Sequence, residues 1–196
     1  RGLQHFGWAF WCAALVLHFV LLRRVDQRSP RSWFTAMHAI GVWVVVLLIA
    51  DALVYAVDKG DLWRTAWASV VLLISATLVL LALAIYATSA AASSRWPFST
   101  FARSYVWWAA LPLAIIVFFG ALIVAVSSSG RADPLPYIPL LNPTDISIAL
   151  AFAAIFLWLQ RLRTGHIGVP AILLSNAPKA ALAVASFLVL RSATWP

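Results

Sequence analysis

Six stretches of mostly apolar residues follow one another along the chain, each long enough to matter and poor in charge. A helix needs about 20 such residues to cross the hydrocarbon core of a bilayer. The expected spans are residues 6–22, 33–57, 62–87, 105–126, 144–162 and 178–196. Their apolar character is continuous, whereas the strands of a membrane barrel are short and alternate. Helices are therefore expected, because a helix satisfies its backbone polar groups internally where no water is available. Composition agrees: 64% of the 196 residues are hydrophobic and 10% charged, with a mean hydropathy of +0.94. A soluble domain carries roughly a quarter charged residues, so soluble, disordered and disulfide-scaffold classes are excluded. The fold class is all-α, an integral membrane helical bundle forming a single transmembrane region over residues 1–196.

Local signals mark several helix starts. Ser32 precedes Trp33, and Asp61 precedes Leu62. In Asn142-Pro143-Thr144-Asp145 a capping residue stands before a first-turn proline, with an acid in the first turn. Asn176 before Pro178 offers the same arrangement for the sixth helix. Starting that helix at Pro170 would bury Lys179 in mid-membrane, which is costly, so the later start is expected. The sixth helix then spans only if the chain continues. Arg1 is not a methionine and Trp195-Pro196 follows an apolar run directly. An internal segment of a larger polytopic protein is expected, with the bilayer and that protein's remaining helices as partners.

The formal net charge is +8, which in a soluble protein would suggest nucleic acid. Here the basic residues lie between apolar runs, so they are read as topology signals and contacts to anionic headgroups, and no nucleic-acid partner is expected. One side holds nine of them: Arg23, Arg24, Arg28, Arg31, Arg95, Arg103, Arg161, Arg163 and Lys179. The other holds five: Arg1, Lys59, Arg64, Arg131 and Arg191. The nine are expected on the cytoplasmic face of a bacterial inner membrane, leaving the Pro-rich loop 132–143 outside. Trp8, Trp11, Trp63 and Trp67 fall at outer ends; Trp33, Trp107, Trp108 and Trp158 fall at inner ends, as an aromatic belt would. Trp43 lies mid-helix and reads as a packing residue.

Ionisable groups inside a membrane are functional candidates. Asp51, Tyr55 and Asp58 share one face of the second helix, and Arg64 across a short loop could pair with Asp51. The pattern fits a polar path, but a structural salt bridge tying two helices is the commoner meaning of one carboxylate with one Arg. His18 and His38 fall at similar depth near the inner face if their helices are antiparallel neighbours. Such a pair could relay a proton or simply form interhelical hydrogen bonds. Pro134, Pro136, Pro139 and Pro143 keep the fourth loop extended, while Tyr137, Asn142 and Asp145 are its polar members. That loop could wall a substrate groove or act as a rigid plug. No metal or cofactor is expected: HExxH, CxxC and Gly-rich phosphate loops are missing, and Cys12 reads as a small hydrophobe.

Two stretches carry a resemblance. Tyr105-Val106-Trp107-Trp108-Ala109-Ala110-Leu111-Pro112-Leu113, followed by the run from Pro134 through Asp145, resembles the bacterial multi-pass family called domain of unknown function 2339. The resemblance extends to Arg95-Trp96-Pro97 and to Met37-His38-Ala39 after the basic first loop. It implies a long polytopic membrane protein and no transferable activity. Three roles are therefore carried forward. One is structural or assembly within a larger membrane protein. Another is a transport component with a path near Asp51, Tyr55 and Arg64. The third is a membrane enzyme for lipid-linked or cell-envelope substrates, using Asp51, Arg64 and Asp145.

Overall fold

The computed structural model describes residues 7–26, 32–89, 94–127, 138, 141–164 and 168–194, which are mostly helical with no strand among them. Seven α-helices follow in order: α1 Gly7–Asp26, α2 Ser32–Lys59, α3 Trp67–Tyr86, α4 Phe98–Ser127, α5 Pro143–Thr164, the short α6 Ala171–Leu174, and α7 Ala177–Thr194. Among the described residues four helical segments are long and apolar enough to cross a membrane: Trp33–Lys59, Trp67–Tyr86, Phe98–Ser127 and Pro143–Thr164. The first and last of the six expected spans are helical but fall outside that group. In α1 the apolar run gives way to Arg23, Arg24 and Asp26, and α7 carries Lys179 and Arg191 within its length.

The centre of the bundle is α3, α4 and α5, packed pairwise; α2 lies against the start of α4, α1 against α2, and α7 against α4 and α5. The packing follows from one periodicity. Along α3 and its flanks Ala66, Val70, Leu73, Thr77, Leu80, Ala84 and Ala87 are buried at alternating steps of four and three, with Ala68 buried beside that stripe. Helix α5 repeats the pattern with Thr144, Ile148, Ala151, Ile155, Trp158 and Leu162, and α4 with Ala110, Ala114, Val117 and Ala121. A repeat of seven residues keeps one stripe facing its neighbour along the whole helix. Lipid tails are as apolar as these side chains, so close backbone approach drives the association, and the alanines permit it. Two buried hydroxyls bond within their own helices, while Ser104 Oγ and Thr144 Oγ1 are buried with no partner among the described residues. Thr77 donates to the Leu73 carbonyl (2.7 Å) and Ser147 to the Thr144 carbonyl (2.7 Å).

Helix α4 begins seven residues ahead of its apolar run. Its first turns are amphipathic, with Ser99, Thr100 and Arg103 exposed and Phe101, Ser104 and Tyr105 buried. Residues Ser104–Ala109 form a π-helical segment. Pro112, just downstream, has no N–H for the carbonyl four residues back and its ring crowds that carbonyl, so the ladder widens upstream of it. The indole of Trp158 on α5 donates to the Val106 carbonyl within this segment (2.8 Å). Trp158 and Trp107 are both buried, with parallel rings 6.5 Å apart, and so do not belong to the interfacial belt expected of them. Trp11, Trp33, Trp63 and Trp108 are exposed, as belt residues must be.

The helix starts divide. Asn142 caps α5 as expected, its side-chain oxygen accepting from the Thr144 N–H (3.2 Å) while its carbonyl takes the first helical bond. Asp61 does not cap α3. It sits at φ 49° in the turn closing α2, makes no side-chain cap, and a 3-10 turn Leu62–Arg64 intervenes before α3 begins. At α7 the Ala177 N–H is taken by the Ser175 hydroxyl (3.2 Å) and not by the Asn176 side chain. Replacing Trp158 by Phe removes the indole donor to the Val106 carbonyl in the core and should lower stability by about 1–3 kcal/mol. Unfolding of the detergent-solubilised protein followed by circular dichroism would measure it; an unchanged midpoint would show that the bond is not needed.

Candidate functional site

The densest buried polar group lies at the arginine-rich end, where α1 stops, α2 starts and the chain enters α4. Asp26 is the last residue of α1, and His38 sits in the second turn of α2. Trp96 stands just ahead of α4, and Tyr105 lies on its π-helical segment. His38 is fully buried and uses both ring nitrogens. Its Nε2 lies 3.2 Å from Asp26 Oδ2, and its Nδ1 lies 2.9 Å from the Tyr105 hydroxyl. A carboxylate only accepts, so Nε2 carries the proton and Nδ1 accepts from Tyr105. Asp26 Oδ2 also accepts from the Trp96 indole at 2.8 Å.

Aromatic rings close the group off. Phe101 stacks on the imidazole with centroids 4.3 Å apart, and Trp96 meets it edge-on at 5.7 Å. Phe98 lies against Tyr105 at 4.8 Å, and the Arg23 guanidinium sits 5.9 Å from the Trp96 ring. In this low-polarity setting the carboxylate is held by its two donors, as a buried charge requires. Asp26 Oδ1 is buried with no hydrogen-bond partner among the described residues. The order carboxylate, imidazole, hydroxyl can orient an imidazole tautomer and pass a proton along its length.

His18 belongs to the same neighbourhood but plays a different part. His38 bonds Asp26 and Tyr105, and His18 Nε2 is buried with no hydrogen-bond partner among the described residues. It packs into a notch at Gly41 on α2, where a Cβ would lie only 2.8 Å from Nε2. Gly41 is therefore required by close approach and not by backbone conformation.

The other residues singled out by sequence lie elsewhere. Asp51 is exposed on α2, and Tyr55 is half-buried with the Lys59 ammonium 5.8 Å from its ring. Arg64 forms its ion pair with Asp61 (3.0 Å), and both are largely exposed. Asp58 accepts from the Trp63 indole at 2.6 Å. Asp145 is half-buried in the first turn of α5, and Asn142 and Pro143 form the cap described above. Pro136, Tyr137 and Pro139 lie outside the described residues. Among the described residues no three His, Cys, Asp or Glu side chains come together as metal ligands.

Asp26, Trp96 and Tyr105 were not singled out as chemical residues in the sequence. Asp26 stands at the edge of a basic loop, and its partners are 12 and 70 residues away. A signal was present nonetheless: Trp96, His38 and Tyr105 each lie in a stretch that carries the family resemblance.

Replacing Gly41 by Ala forces the His18 ring or α1 to shift and should cost about 1–3 kcal/mol. In a His18→Ala background the same change should cost much less, and a double-mutant cycle on unfolding midpoints would show it. Equal cost in both backgrounds would separate Gly41 from His18.

No curated protein and no solved structure shows a significant match to the chain. The family described as "Predicted membrane protein (DUF2339)" matches residues 2–195. The chain belongs to that family.

Proposed function

We propose that this member of a membrane-protein family of unknown function is a structural module, which assembles with the remaining helices of a larger polytopic protein. The observation that carries this reading is His38, fully buried and bonded through both ring nitrogens to Asp26 on α1 and Tyr105 on α4. A single neutral hydrogen bond between membrane helices averages only about 0.6 kcal/mol. Breaking a buried pair that includes a charge costs about 3–5 kcal/mol, so the cluster holds its helices where one bond would not. The outward faces of α2, α4 and α5 carry Ile40, Leu47, Ile115, Phe119, Ile123 and Phe156, surface suited to lipid and to further helices.

A second reading draws on Asp26 Oδ1, buried without a partner among the described residues, and on the carboxylate–imidazole–phenol order. In it the cluster relays protons for a transport activity. Two variants of the full-length protein separate the readings. His38→Ala should lower stability by roughly 3 kcal/mol, and Tyr105→Phe by about 1 kcal/mol, with neither changing proton flux in proteoliposomes. A variant that unfolds normally but loses proton flux would overturn the structural reading in favour of the relay.

The same proposal places the protein in the inner membrane of a bacterium, with the arginine-rich end in the cytoplasm and loop 132–143 outside. The count of nine basic residues against five supports that orientation. With Cys12 replaced by Ser, a cysteine at Tyr137 should react with a membrane-impermeant maleimide in intact cells and one at Gln27 should not. The opposite pattern would invert the topology.

A further inference from the structure

A groove of about 220 Å³ runs between α4, α5 and α7, walled by apolar side chains that include Leu111, Ile115, Phe118, Ile155, Leu159 and Leu182. It stays open because α7 presents Pro178 and Ala181 to it, and neither fills the space between the helices. The rim beyond its Pro178 end carries basic residues, which do not line the slot itself. Lys179 follows Pro178 and is half-buried, its ammonium 5.3 Å from the Phe156 ring. Arg163, in the last turn of α5, donates to the Ser175 carbonyl and lies 3.4 Å from Asn176 Oδ1. Its Nε is buried with no hydrogen-bond partner among the described residues. Arg161 is half-buried on the same turn.

The negative charge that would answer these cations is not supplied by the described residues. Asp26 pairs with His38 and Asp61 with Arg64. Asp145 stands at the opposite end of α5, and Asp51, Asp58 and Asp61 lie with the far end of α2. An apolar slot in the membrane whose rim carries unanswered Lys and Arg matches one class of ligand. An acyl chain fills the slot while a phosphate meets the cations.

We propose that this groove is a binding site for an anionic phospholipid, with one acyl chain lying against Ile115, Phe118 and Leu159 and the headgroup phosphate held by Lys179 and Arg163. Arginine supplies directional donors and lysine a point charge, the usual division of labour at a phosphate. A zwitterionic lipid offers the same chains but no net charge, and free phosphate offers the charge but no chain. Both features of the groove are used only by an anionic lipid.

The test uses the full-length protein in dodecyl maltoside, with dioleoyl phosphatidylglycerol or dioleoyl phosphatidylcholine added. Phosphatidylglycerol should raise the melting midpoint by several degrees and remain bound in native mass spectrometry; phosphatidylcholine and glycerol phosphate should do neither. Lys179→Gln removes the point charge at the rim, and Ala181→Phe fills the slot. Each should cut phosphatidylglycerol retention at least fivefold while leaving the lipid-free midpoint within a degree. Ala181→Leu serves if the Phe variant does not fold. Equal stabilisation by phosphatidylcholine would overturn the role of charge. Undiminished retention in a folded slot-filling variant would overturn the groove, leaving only adhesion to a basic surface.

Discussion

A carboxylate held out of water at the end of a helix must find donors, and Asp26 finds them in two other parts of the chain. Helix α2 supplies the His38 Nε2–H, and the entry to α4 supplies the Trp96 indole. His38 in turn passes the constraint to Tyr105. Removing any member leaves a buried group without its partner, and in a low-dielectric setting that penalty exceeds the bond's net worth. The relative placement of α1, α2 and α4 at this end therefore rests on one ionisable group.

The π-helical segment of α4 belongs to the same design. Pro112 disturbs the ladder, and the widened turn lies where Tyr105 must reach His38 and where Val106 offers its carbonyl to Trp158. One irregular turn thus serves both sides of α4: the polar cluster on α2 and the apolar stripe on α5. The stripe is what a membrane permits, since burial from lipid yields no hydrophobic gain and alanines such as Ala110, Ala114, Ala151 and Ala154 gain by close contact instead.

The all-α membrane class was legible because it rests on local composition: a continuous apolar run can satisfy its backbone in only one way in hydrocarbon. The Asn142 cap was legible for the same reason, since residues two apart decide it. What failed was long-range. Trp158 was placed in the headgroup belt because its position near a helix end says nothing of the carbonyl 52 residues earlier that it would meet. Arg64 was offered to Asp51, yet Asp61 is three residues away and a neighbour on the same turn wins. His18 and His38 were grouped by depth, but depth fixes one coordinate out of three. Asp26 looked like part of a solvated basic loop until its partners arrived from other helices.

These two kinds of contact divide the molecule by ends. At the end of α2 near Lys59 the polar residues are satisfied within a few positions of themselves: Arg64 by Asp61, Trp63 by Asp58. Such pairs are exposed, screened, and hold nothing but their own turn. At the arginine-rich end the bonds join residues 12, 67 and 70 positions apart and are shielded by Phe98, Phe101 and Trp96. Loop-closure entropy opposes bonds of that span, so they persist only where the helices are already aligned by the seven-residue stripes of α3, α4 and α5. The polar cluster and the apolar core are therefore not alternatives. The core brings α4 to its place, and the cluster then determines how α1 and α2, which bury little of their own surface, lie against it.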